Sequence, residues 1–181
     1  TIPNSVTKIG GNAFYACHGL ESVTIGDGVT TIGIGVFSSC TKLEEFNGKF
    51  AADNGRCLIK DNTIIAYANA SGTDYTIPDS VTTIGVEAFS SCESLTSVII
   101  PDSVTTIGDR AFWNCDSLTS VTIGNSVAEI GTQAFYQCKF SSLTIPDSVT
   151  TIRSYAFHDC SNLTSVTIGN GVTTIEPLAF N

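Results

Sequence analysis

Apolar positions along this chain return at fixed places in a unit of about 23 residues. In the stretch 100–122, IPDSVTTIGDRAFWNCDSLTSVT, the apolar residues are Ile100, Val104, Ile107, Ala111, Phe112, Cys115, Leu118 and Val121. Nearly everything between them is small and polar. The octet IPDSVTTI recurs letter for letter at 77–84, 100–107 and 145–152. Units open at Ile2, Ile25, Ile77, Ile100, Ile123, Ile145 and Ile168, in steps of 23, 52, 23, 23, 22 and 23 residues. Equivalent positions form ladders. One is Phe14, Phe37, Phe89, Phe112, Phe135, Phe157 and Phe180; another is Leu20, Leu43, Leu95, Leu118, Phe140 and Leu163. A single unit cannot bury its own apolar face. Stacked units bury one another's, and each then meets nearly the same neighbours, which explains the repeated wording.

Local spacing predicts the elements. In LTSVTI (118–123), Val121 and Ile123 alternate with Ser120 and Thr122, the period of a strand. Stacked copies predict a parallel sheet with rungs about 4.8 Å apart. VTTI suits a second, shorter strand. PDSV and GNSV suit turns, since Pro fixes φ and Asp, Asn and Ser bond their own backbone. Ala111, Phe112, Cys115 and Leu118 fall at helix-like intervals, which predicts one or two helical turns on the opposite wall. The expected architecture is a curved, right-handed coil stack of about eight coils, with the sheet on the concave face and helical turns on the convex face.

Two departures from the period stand out. The 52-residue step holds NGKFAADNGRCLIKDNTIIAYANASGTDYT (47–76), in which CLI and TIIAYA flank the turn KDN and predict a β-hairpin. Residues 48–76 count as one irregular coil within a single array spanning 1–181, and Tyr75 stands where Val is usual. One residue is missing just before SSLTI, at Phe140, which predicts a local bulge or kink. The chain opens with TIP inside a coil and stops at AFN inside another, without polar capping sequence. That reads as a piece of a longer array, or as ends that pair with other chains.

The combined motif L-x-x-V-x-I-P-x-x-V-x-x-I-G-x-x-A-F-x-x-C resembles the BspA-like (treponemal type) leucine-rich-repeat family over nearly the whole chain. The resemblance implies a curved solenoid with a concave parallel sheet. It also implies a secreted or surface-attached, often bacterial, protein used for adhesion or protein binding.

Composition narrows the chemistry. Charged residues are 14% of the chain and the net charge is −9, which argues against a phosphate-backbone partner. No apolar run approaches the roughly 18 residues of a membrane span. Six of seven cysteines (Cys17, Cys40, Cys92, Cys115, Cys138, Cys160) share one repeat position. Metal ligands must converge on a point, and these lie one rung apart, so they read as buried free thiols; Cys57, on the hairpin, reads likewise. The Asp and Asn residues of the turns (Asn4, Asp27, Asp79, Asp102, Asn125, Asp147, Asn170) lack the surrounding oxygens calcium needs. His18 and His158 lie at different repeat positions, six coils apart. No nucleophile–base–acid set, phosphate loop or zinc spacing is present, so neither enzyme nor cofactor is expected. NAS (69–71) and NLT (162–164) match glycosylation acceptors by chance composition.

Outward strand residues are mostly Ser and Thr, a blank surface for a binding sheet. The position after each ladder Phe differs: Tyr15, Ser38, Ser90, Trp113, Tyr136 and His158. Trp113, Tyr136 and His158 lie on consecutive coils and are expected to form one ring-bearing stripe on the outer wall, with Arg110 and Tyr155 beside it. The candidate partner is a protein, a host extracellular or cell-surface protein included, with a glycan bound through exposed rings as the alternative. The expected setting is extracellular or the cell surface.

Overall fold

The computed structural model describes residues 1–181, with seventeen strands and no helix. In chain order the first six are β1 (Lys8–Ile9), β2 (Ser22–Ile25), β3 (Thr31–Ile32), β4 (Glu45–Gly48), β5 (Ala51–Ala52) and β6 (Cys57–Lys60). Next come β7 (Thr63–Tyr67), β8 (Asp74–Thr76), β9 (Thr83–Ile84), β10 (Ser97–Ile99), β11 (Thr106–Ile107) and β12 (Ser120–Thr122). The last five are β13 (Glu129–Ile130), β14 (Ser142–Ile145), β15 (Thr151–Ile152), β16 (Ser165–Ile168) and β17 (Thr174–Ile175). The chain is a β-solenoid of about seven turns, one fewer than the eight expected, because the last unit starts a turn without completing it.

Between coils pairing is parallel and each residue faces its repeat equivalent: Val98 opposite Val121, Thr106 opposite Glu129, Leu143 opposite Val166. Five of the short strands predicted from VTTI, β9 to β17, join the hairpin segment's β7, β6 and β5 in the longest sheet, ordered β17-β15-β13-β11-β9-β7-β6-β5, while β1 and β3 pair apart from it. The long strands do not make one sheet. They divide into β2-β4, β8-β10-β12 and β14-β16.

The predicted helical turns are absent, and the backbone shows why. Residues two before and two after each ladder Phe have positive φ: Arg110 (53°) and Asn114 (58°) about Phe112, Gln133 (56°) and Gln137 (63°) about Phe135. A left-handed residue at every fourth position interrupts any right-handed helix. The amides divide their work accordingly. Those of Arg110, Phe112 and Asn114 donate to Thr132, Ala134 and Tyr136 of the next coil at 2.9, 2.7 and 2.9 Å. Those of Ala111 and Trp113 close tight turns onto Gly108 and Arg110. Chained turns therefore reproduce the three- and four-residue apolar spacing of a helix while spending half their donors on the neighbouring coil.

Side chains follow the same register. Phe89, Phe112, Phe135, Phe157 and Phe180 stack with ring centroids 4.7, 5.0, 5.3 and 5.1 Å apart. Most ladder thiols also have a polar role, beyond their apolar one. Cys40, Cys115, Cys138 and Cys160 donate to the carbonyls of Phe14, Phe89, Phe112 and Phe135, one coil back, at 3.0–3.3 Å. All seven cysteines are free; Cys17, on the first coil, is only partly buried, so the expected uniform burial holds for five of the six. The turn residues also bind coil to coil. The Asp102 and Asp147 carboxylates accept the amides of Asn125 and Asn170 at 2.6 and 2.7 Å, and the Asn4 side chain accepts that of Asp27 at 2.8 Å.

The hairpin lies where expected. Strands β6 and β7 pair antiparallel around Asp61 and Asn62, both left-handed (φ 50° and 59°), as a two-residue type I′ turn requires. Strand β7 then takes the place of a short strand, with Thr63 and Ile64 opposite Thr83 and Ile84. The hairpin also partitions the interior. Leu58, Ala66 and Ala68 join the apolar cluster of the first coils, whereas Cys57 and Tyr67 join the larger cluster that follows. Tyr75 pairs with Val98, is 2% exposed, and packs between Tyr67 and Phe89 beneath the Arg56 guanidinium, 4.7 Å from its ring.

The deletion at Phe140 does more than kink the stack. Strands β12 and β14 are not paired at all, although β13 and β15 beside them are.

Two outcomes follow from this packing. Phe112→Ala removes a ring stacked on both faces and is expected to cost about 3–5 kcal/mol in urea unfolding, whereas Phe180→Ala, half-buried at the end of the ladder, costs less; equal losses would contradict a stacked interior. Cys17 is expected to react first with a thiol reagent, and the five buried ladder thiols only as fast as the fold opens. Burial pushes Cys40 from its ordinary 9.0 up to about 11 and Cys160 up to about 12. These groups are raised in the folded state, so their stabilisation is complete below pH 9 and is lost as pH climbs through 11–12. A stability–pH curve flat across that window would refute it.

Candidate functional site

The turn wall carries the variable side chains of the array. With Ala and Phe turned inward at each coil, the next residue emerges between two left-handed positions. Trp113, Tyr136 and His158 do come together there as one stack. The Trp113 and Tyr136 rings lie 6.3 Å apart at 18°, and Tyr136 and His158 5.3 Å apart at 9°. All three are half-buried rather than standing free, because each covers part of its neighbour. Tyr155 joins at the His158 end with centroids 5.3 Å apart.

Polar contacts hold the rings in place. The Tyr136 hydroxyl donates to the Asp159 carboxylate at 3.0 Å, and this hydrogen bond raises the phenol above its ordinary range. His158 Nε2 lies 3.3 Å from the Asn181 amide nitrogen; its Nδ1 is 3.4 Å from Asp159 without hydrogen-bonding geometry. Arg110 stands at the other end of the stack, its Nε donating to Gln133 at 2.8 Å and its Nη1 3.6 Å from the Glu87 carboxylate. The five sequence-predicted residues therefore share one face, with Arg110 and Tyr155 at opposite ends.

A notch beside Trp113 was not foreseen. In the hairpin coil only two residues separate Ile64 from Tyr67, against four between Ile84 and Phe89 in the next coil. That coil consequently retracts from the turn wall, and the coils on either side meet across it: Ser39 Oγ and Ser91 Oγ are 3.0 Å apart. With Ser38 and Ser90 where other coils carry rings, a depression of about 220 Å³ opens between Tyr15 and Trp113, flanked by Glu87, Arg110 and Gln133. Trp113 stacks on Tyr136 and also borders the depression, where the preceding coil has Ser90 in place of a ring. The signals in the sequence were the paired serines 38–39 and 90–91 and the short Ile64–Tyr67 interval.

Other candidates resolve structurally. Asn69 of the NAS triplet is buried; its amide donates to Ser90 and Ser91 carbonyls at 3.4 and 3.2 Å and accepts the Cys92 thiol at 3.1 Å. It is thus closed to glycosylation in the fold, whereas Asn162 is exposed. No three His, Cys, Asp or Glu side chains converge as a metal site would need. The Cys57 thiol, beneath the Tyr75 hydroxyl at 3.3 Å, is pushed up to about 11 by burial, the opposite of an activated nucleophile. No helix of the structure is long and apolar enough to cross a membrane.

Comparison with curated proteins gives no match. Among solved structures, the chain is similar to a leucine rich cell surface protein of Faecalibacterium prausnitzii, with TM-score 0.75 and 29% identity, covering 93% of this chain and 52% of that one. It is similar in fold to the pneumococcal vaccine antigen PcpA, with TM-score 0.80 and 20% identity, covering 98% and 54%. A leucine rich repeat protein of T. pallidum follows with TM-score 0.55 and 28% identity, covering 94% and 66%. The chain spans about half the length of the first two. Six copies of the BspA type leucine rich repeat region match residues 1–52 and 64–181, leaving out only residues 53–63, which hold the first strand of the hairpin and its turn. With its 23-residue coils, its Ala-Phe and Cys ladders and that match, the chain belongs to the BspA-type leucine-rich-repeat family.

Proposed function

We propose that this chain is a non-enzymatic binding module of a bacterial surface or secreted protein, and that it meets a protein partner through the ring stack Trp113–Tyr136–His158, with Arg110 and Tyr155 at its ends. The observation that carries the reading is the stack itself. It gathers the chain's one Trp with Tyr and Arg on a single wall, the residue types that dominate binding energy at interfaces. The rings are already ordered by one another, so little side-chain entropy remains to be lost on contact. The family and the F. prausnitzii neighbour support a place at the cell surface.

The notch favours a second reading. The apolar C–H face of a pyranose would stack against the side of Trp113 that borders the notch, with Glu87, Arg110 and Gln133 as polar partners; carbohydrate binding is the alternative.

Binding to immobilised host extracellular proteins and to a glycan array separates the two. On the first reading, Trp113→Ala and Tyr136→Ala each weaken the captured protein by about 1 kcal/mol or more, with the circular dichroism spectrum unchanged. On the second, Trp113→Ala abolishes glycan capture while Tyr136→Ala has the smaller effect. Unchanged affinity in both variants would place the contact elsewhere.

A further inference from the structure

We propose that the opening between β12 and β14 is a strand-capture site. It takes an extended polypeptide segment of alternating small polar and β-branched apolar residues and hydrogen-bonds its main chain from both sides. This site is separate from the ring stack and stands or falls independently of it.

The opening has a local cause. Regular coils read C-x-x-L before the long strand, but here Cys138-Lys139-Phe140 is one residue shorter. The coils stay joined on either side of the fault: the Lys139 amide donates to the Leu118 carbonyl at 2.9 Å, and the Thr150 amide to that of Ala128 at 2.9 Å. Between these points no hydrogen bond joins main chain to main chain, and the one bridge is the Ser148 hydroxyl donating to the Val127 carbonyl at 2.8 Å, past the ends of both long strands. The interior does not collapse into the fault. Phe140, wholly buried, sets its ring edge-on against Phe135 and Phe157 at 6.1 and 6.2 Å. What remains is a groove of about 470 Å³ on the long-strand wall.

Both lips present free main chain. The ladder pairs Val98 with Val121, and one position on, the Ile100 amide donates forward to the Thr122 carbonyl at 2.9 Å. By the same register the amides of Val121 and Ile123 point forward, into the opening, where no strand answers. On the far lip, Ser142 is opposite Ser165, whose amide reaches back to the Ser141 carbonyl. The amides of Ser142 and Thr144 therefore point back into the same space. Only an extended chain offers donors and acceptors along both of its edges at strand spacing.

Side chains define what it would carry. At equivalent inward positions Val23, Val98 and Leu143 are 4%, 1% and 3% exposed, whereas Val121 is only half-buried. The core is uncovered here, and an apolar β-branched residue of the occupant would cover it. Its alternate residues would lie level with Ser120, Thr122, Ser142 and Thr144, which favours Ser or Thr. No charged residue lines the groove, so charge does not select the occupant. The other gap in this wall, between β4 and β8, differs because the hairpin segment already fills it: the Phe46 amide donates to the Gly55 carbonyl at 2.8 Å and the Ala70 amide to that of Leu43 at 2.8 Å.

The probe is a labelled, end-blocked synthetic peptide with the sequence of residues 117–123, SLTSVTI, titrated into the 181-residue chain. A copy N-methylated at alternate residues lacks the donors. One variant inserts a Ser between Lys139 and Phe140, restoring the regular spacing. A second, Val121→Pro, removes a forward-facing amide and leaves the β10 pairing of Ser120 and Thr122 in place. Saturable binding is expected, with protection of the Val121, Ile123, Ser142 and Thr144 amides from hydrogen exchange. Each variant, and the methylated peptide, should bind on the order of tenfold more weakly. Absence of binding to the native chain overturns the proposal. So does equal binding by the insertion variant and Val121→Pro, which would place the peptide on the outer edge of the stack, or capture of a soluble oligosaccharide that competes with the peptide.

Discussion

Every other feature of this molecule depends on the hydrogen bond from a residue to the immediate neighbour of its equivalent one coil away. On the short-strand wall it is a parallel ladder; on the turn wall it is the alternate amide, three times per coil, reaching the next coil's carbonyls. Because the backbone is held at strand spacing on both walls, identical side chains are brought to the separation at which rings stack. The Phe ladder at 4.7–5.3 Å is a consequence of that spacing. The same register makes Cys useful at its position: small enough for the interior, with a thiol that reaches the Phe carbonyl of the preceding coil.

A constraint this strict turns any change of coil length into a structural event. Lengthening one coil inserts a hairpin that supplies its own antiparallel pairs, re-enters the short-strand sheet through Thr63 and Ile64, and separates two apolar clusters. Shortening another by one residue offers no spare chain with which to repair the loss. The short-strand sheet and the turn wall remain in register, and the whole mismatch falls on the long-strand wall. Phe140, larger than the Leu it replaces, keeps the interior filled and so leaves the wall open.

Much of this was legible because a repeat states its contacts many times over. The period, the Phe and Leu ladders, both kinds of strand, the hairpin around Asp61 and Asn62, and the joining of Trp113, Tyr136 and His158 all follow from spacing. The helical turns were misread because chained turns with a left-handed residue every fourth position put apolar residues at the same intervals as a helix does, and spacing alone carries no φ. The notch beside Trp113 escaped because it arises where one coil is absent from the wall and two non-consecutive coils touch, Ser39 with Ser91. At Phe140 the fault was foreseen, but whether a missing residue bends a ladder or parts it depends on which walls hold, and that is a tertiary matter.

The two walls are suited to opposite kinds of recognition. On the turn wall, main-chain amides are consumed between coils, so the recognition proposed there would rest on side chains, and the rings are already held by stacking and by the Tyr136–Asp159 hydrogen bond. On the long-strand wall the outward side chains are mostly Ser and Thr, too small to anchor a partner, with Ile99 the one large apolar exception. An intact sheet would have nothing else to offer, since its main chain is fully paired. Only where pairing fails does that wall gain a recognition element, and then it is the backbone itself. A repeat array can therefore acquire a binding position in two ways: by placing large residues at a variable position, or by deleting one residue from the period and leaving a rung of the ladder empty.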